Sequence, residues 1–133
     1  MTDKKEMTEE QQQAWIREQY LKATKYLAEK GLVTESVADK ESRYLVPLMA
    51  VWKINLFDKT KVWVISGDLP TDHIVLEQEE PARNVIRHFS FKWQLQADKL
   101  LQSDNQEQVN YANLLINKAE GLYQLYAKDE LWA

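Results

Sequence analysis

Residue types able to do chemistry gather in two neighbouring stretches of this 133-residue chain. The first, Gly67-Asp68-Leu69-Pro70-Thr71-Asp72-His73, supplies two carboxylates, a hydroxyl and an imidazole in a turn-forming context. The second carries Arg83, Arg87, His88 and Lys92. On a helix, Arg83 and Arg87 are four apart on one face with Phe91 continuing the row, whereas His88 lies about 100° round and aligns with Lys92.

These residues admit several chemistries. Asp68, Asp72, His73 and His88 are the ligand types of a zinc or iron site. Asp72-His73 is an adjacent pair, however, and no His-Glu-x-x-His spacing occurs. A carboxylate orienting His73 or His88 would serve acid–base catalysis, but no serine or threonine sits in a nucleophile motif and no glycine-rich phosphate loop is present. Arginine forks recognise carboxylates, so the loop with the Arg83/Arg87 row would make an anion-accepting or peptide-accepting surface. A purely structural role needs the least. Asp68 before Leu69-Pro70 is ordinary turn chemistry, Thr71 and Asp72 bond nearby backbone N–H groups, and Arg87 pairs with Asp68 or Asp72 to tie loop to helix.

Composition narrows the classes. At this length the sequence reads as one α+β domain, residues 1–133, large enough to bury roughly two-thirds of its unfolded surface. Residues 1–7 are polar and expected to be disordered. The chain has no cysteine, which excludes disulfides and thiolate sites and suits a reducing cytoplasm. Net charge is −4, with no basic stripe, so nucleic acid is not an expected partner. No apolar run reaches the ~18 residues of a spanning helix, so no membrane is expected either. Five Trp and six Tyr are many for this length. They fill a small core or line a binding surface.

The elements that must position the polar residues follow from periodicity. Thr8 to Lys30 reads as a helix, with a Thr8/Gln11 capping box, an apolar stripe of Ile16, Tyr20, Ala23 and Leu27, and Gly31 as its stop. Residues 33–43 read as a loop. Alternation over 44–57 and 61–67 predicts an antiparallel hairpin, apolar on both faces, and 73–76 a short third strand. Pro81 suits the first position of a second helix, 81–102, whose buried stripe is Ile86, Phe89, Trp93, Ala97 and Leu100, with Phe91 and Leu95 off it. Asp104 with Glu107 predicts the cap of a third helix, 105–128, in which Gly121 would permit close backbone packing. Strands grouped between helices indicate a small antiparallel sheet packed by helices.

The phrase Val62-Trp63-Val64-Ile65-Ser66-Gly67-Asp68-Leu69-Pro70-Thr71-Asp72-His73, followed by Arg87-His88-Phe89 and Lys92-Trp93-Gln94-Leu95, resembles an uncharacterised bacterial family of short cytoplasmic proteins. It is a domain-of-unknown-function family, and the resemblance runs from about Thr8 onward. It implies a stand-alone protein and transfers no catalytic residue.

The sequence assigns no function. Its leading expectation is a small cytoplasmic interaction or adaptor-type protein, in one form a homodimer, with no resident cofactor or metal. Its candidate binding surface is Asp68, Thr71, Asp72, His73, Arg83, Arg87 and His88. The rival expectations are a metal-dependent or acid–base enzyme using His73 and His88, and a binder of a small anionic ligand.

Overall fold

A computed structural model describes residues 7–133 of the chain. Of the segment expected to be disordered, residues 1–6 lie outside the described residues. The fold is α+β: an N-terminal helix, a small antiparallel sheet and two C-terminal helices. The chain falls into two compact units, one reaching to Glu77 and the other running from Gln78 to Ala133.

The first unit begins with α1, Glu9–Glu29. Thr8 accepts from the Gln11 N–H while the Gln11 side chain accepts from the Thr8 N–H, so the predicted capping box is formed. At the other end Gly31 adopts φ 81°, and its N–H and that of Leu32 bond back to the carbonyl oxygens of Ala28 and Leu27. A left-handed residue at this point satisfies carbonyls that the helix would otherwise leave open.

Five strands follow: β1 Thr34–Val37, β2 Arg43–Leu45, β3 Met49–Leu56, β4 Lys61–Gly67 and β5 Asp72–Ile74. The order is β1-β3-β4-β5, with β2 pairing the same edge of β3 as β1. Two corrections to the sequence reading arise here. Residues 34–37, expected in a loop, form a strand against Ile54–Leu56. The run 44–57 is not one strand, because the chain turns back at the cis Val46–Pro47 peptide and β2 pairs with Met49–Val51. Proline has no N–H for the ladder, and the Leu48 N–H closes the turn on the Leu45 carbonyl. The hairpin of β3 and β4 is as expected, and the third strand sits one residue earlier than 73–76, at its start.

Alternation divides the apolar residues of β3 and β4 between two faces. Ala50, Trp52, Ile54, Leu56, Val62 and Val64 form one core with Ala23 and Leu27 of α1. The Trp52 ring lies between Tyr20 and Tyr44, at centroid distances of 5.5 and 4.7 Å. On the opposite face Met49, Val51, Trp63 and Ile65 are buried as well, so both faces of the sheet carry buried apolar residues. Lys53 belongs to that second face, and its ammonium reaches Glu41 at 2.8 Å and the Trp63 ring.

The second unit is an antiparallel pair of helices, α2 Ala82–Leu100 and α3 Gln106–Ala127, followed by a 3-10 turn at Asp129–Leu131. Pro81 stands just outside α2 with extended ψ and caps it through its carbonyl, which accepts from Asn84 and Val85. Asn105, not Asp104, caps α3, its side chain accepting from the N–H groups of Glu107 and Gln108. Asp104 lies one residue too early to reach them. Ile86, Phe89, Trp93 and Ala97 are buried, as are Ala112, Leu115, Ala119 and Leu122 of α3. The buried Ser90 hydroxyl donates to the Ala119 carbonyl at 2.8 Å and pins the helices at mid-length. Gly121 does not serve close packing, since a Cβ there would meet nothing within 4 Å. The indole of Trp132 donates to the Leu125 carbonyl and ties the C-terminus to α3.

Candidate functional site

In the first unit the loop between β4 and β5 starts at Gly67, whose φ of 132° turns the chain out of the sheet. The Asp68 N–H then bonds the Leu48 carbonyl at 3.0 Å. Asp68 is exposed and Thr71 half-buried. Asp72 and His73 open β5 beside α1. There the Tyr26 hydroxyl lies 2.8 Å from Nδ1 of His73 and 3.3 Å from the Asp72 carboxylate, which also accepts from the His73 backbone N–H. The two rings meet edge-on at 5.5 Å, and the Lys30 ammonium stands over the Tyr26 ring at 5.3 Å. Two predicted residues therefore converge on a third that the loop motif did not name.

In the second unit Arg83 and Arg87 share the row that helical spacing predicts. Arg83 donates to the Tyr126 carbonyl at 2.8 Å and pairs with Asp129 at 2.6 Å. Both guanidinium groups lie over the Tyr126 ring, Arg83 at 5.3 Å and Arg87 at 5.7 Å. Within this unit the partner of Arg87 is this ring. An arginine over an aromatic face keeps its outward N–H groups available. His88 turns to Glu80, 3.1 Å away, and is a boundary histidine.

The Arg83/Arg87 row leads into an open hollow between α2 and α3. Arg87, Ser90, Phe91, Gln94 and Tyr123 enclose about 350 Å³. A second depression of about 590 Å³ continues it past Gln94, Asp98, Leu101, Ile116, Glu120 and Tyr123. Two of the large side chains lining the hollow are exposed, Phe91 at 60 % and Tyr123 at 53 %, and Leu95, elsewhere on α2, is 65 % accessible. Phe91 and Leu95 are legible in sequence as apolar residues off the buried stripe. Tyr123 and Tyr126 are not, because in sequence they simply continue a run of apolar residues, Val109, Ala112, Ile116 and Ala119, at steps of three and four.

Among the described residues no group of three His, Asp or Glu side chains is placed to hold a metal ion. Burial pushes the Tyr44 phenol above the usual tyrosine range, and Asp39, which accepts its hydrogen bond at 2.6 Å, adds to the shift. Hydrogen bonds from Thr60 hold the Asp58 carboxyl low in its turn. No helix among the described residues is long and apolar enough to cross a membrane.

No curated protein and no solved structure is significantly similar to the chain. One family model matches residues 9–132, spanning both units, and the chain accordingly belongs to the family described as domain of unknown function DUF4826.

Proposed function

We propose that this protein works by binding another protein, and that the side of α2 carrying Arg83 and Arg87 is where it does so. The observation that carries this reading is the exposure of Phe91 and Tyr123 in the lining of the hollow that Arg87 opens onto, with Leu95 also exposed on the same helix as Phe91. Large side chains gathered in solvent beside an arginine match the composition of protein-binding patches. The Asp68–His73 loop is a secondary candidate surface, in which Tyr26 holds Asp72 and His73 in a fixed arrangement. The cytoplasm of a bacterium is the setting this reading takes, on the cysteine-free, mildly acidic composition and the family resemblance.

A photo-crosslinking amino acid placed at Phe91, at Tyr123 and, as a control, at the exposed Lys25 of α1 tests the reading in cells. Discrete protein adducts at the first two positions and none at the third are expected. Absence of any protein adduct at Phe91 and Tyr123 would remove this side of α2 as a binding surface.

A further inference from the structure

The outward side of α2 has a symmetry of its own. Asn84, Arg87, Phe91, Gln94, Asp98 and Leu101 recur at steps of three and four, the spacing of a seam that one helix offers another. Arg87, Phe91, Gln94, Asp98 and Leu101 are exposed and Asn84 is half-buried. The stripe is balanced about its midpoint: Phe91 and Gln94 are equidistant from it, as are Arg87 and Asp98, and Asn84 and Leu101. Arg87 and Asp98 stand about 16 Å apart along the axis at 1.5 Å per residue. One half of the stripe is thus positive and the other negative, and Glu120 of α3 strengthens the negative end by lining the depression with Asp98. Neither charge is spent internally. Arg87 has the Tyr126 ring beside it, and Arg87, Asp98 and Glu120 form no ion pair among the described residues.

We propose that this face joins a second copy of the chain, α2 antiparallel to α2, about a two-fold axis passing between Phe91 and Gln94. The proposal rests on the binding reading above and names its partner. A two-fold interface sets residue i against j and j against i. With this axis Arg87 of each copy meets Asp98 of the other, so two ion pairs form at once. Phe91 of each packs over Gln94 of the other, and Leu95 and Tyr123 close the apolar border. The parallel, in-register alternative sets Arg87 against Arg87 and Asp98 against Asp98, an arrangement that like charges penalise. The face is about 25 Å long and two helix widths across, roughly 500 Å² per copy. That is below the ~800 Å² of standard interfaces, so association depends on concentration.

Sedimentation velocity across a series from low to high micromolar protein tests this. The wild type is expected to shift from monomer to dimer. Arg87→Asp and Asp98→Arg are each expected to weaken association about tenfold or more, because each sets like charges opposite one another twice. An equimolar mixture of the two variants restores complementarity on both sides and is expected to associate as the wild type does, as is the double variant. Far-UV circular dichroism on each variant checks that α2 is intact. A wild type that stays monomeric throughout, single variants that associate undiminished, or folded variants that fail to associate when mixed would overturn the proposal. A monomeric wild type whose crosslinker at Phe91 still captures a different protein would overturn the dimer and leave the binding reading standing.

Discussion

The phenol of Tyr26, on α1, and the imidazole of His73, at the start of β5, are 2.8 Å apart although 47 residues separate them in the chain. The phenol has one hydrogen to give. The phenol oxygen meets both Nδ1 of His73 and, at 3.3 Å, the Asp72 carboxylate, so helix and edge strand share one short chain of hydrogen bonds.

Tyr26→Phe removes that chain and keeps the ring. The expected cost is about 1 kcal/mol, the usual worth of a partly buried hydrogen bond. The loss should be local as well as global. Hydrogen exchange at the β5 amides is expected to rise more than at β3, and equal protection in both proteins would show that β5 is held by other means.

At Gly67 two requirements coincide. The backbone has φ 132°, and a Cβ would lie 2.6 Å from both the Leu48 carbonyl oxygen and Met49 Cα. Backbone atoms inside a paired strand do not yield cheaply. Gly67→Ala is therefore expected to destabilise the fold by about 2 kcal/mol or more, whereas Gly31→Ala, with open space around it, costs only the left-handed conformation, of order 1 kcal/mol. Urea denaturation of the two variants makes the comparison, and equal midpoints would refute it.

Tyr44 makes stability sensitive to alkaline pH. Its phenol ionises at higher pH in the folded chain than the ordinary ~10. A group whose folded pKa is raised adds stability that is fully present below its unfolded pKa and is lost as pH rises beyond it. The melting temperature is expected to fall more steeply above pH 10 in the wild type than in Tyr44→Phe. Parallel curves would mean that Tyr44 ionises as it does in the unfolded chain.

The three helices are legible in the sequence because each repeats its apolar residues at the helical period and is bounded by a cap, Thr8 for α1, Pro81 for α2 and Asn105 beside the expected Asp104 for α3. The β3–β4 hairpin is legible from alternation. β1 is not, because Thr34-Glu35-Ser36-Val37 is polar and becomes a strand only through the backbone groups of Ile54 to Leu56, which no local pattern announces. The break at Pro47 is a matter of geometry, since β-branched and aromatic residues continue on both sides of it. The same division governs the candidate sites. Arg83, Arg87 and Phe91 share a face by helical arithmetic, whereas Tyr26 meets His73 only through the packing of α1 against the sheet.

β1 and β2 lie end to end along one side of β3. Between them Ser42 substitutes for a strand residue, its hydroxyl accepting from the Lys53 N–H at 2.9 Å while the Ala38 N–H takes the Lys53 carbonyl at 2.7 Å. The outermost strands, β1, β2 and β5, are only four, three and three residues long, and they carry Glu35, Arg43 and Asp72. Short, charged margins of this kind give a foreign strand little backbone to pair with. The sheet is thereby a poor template for β-augmentation and for fibril growth.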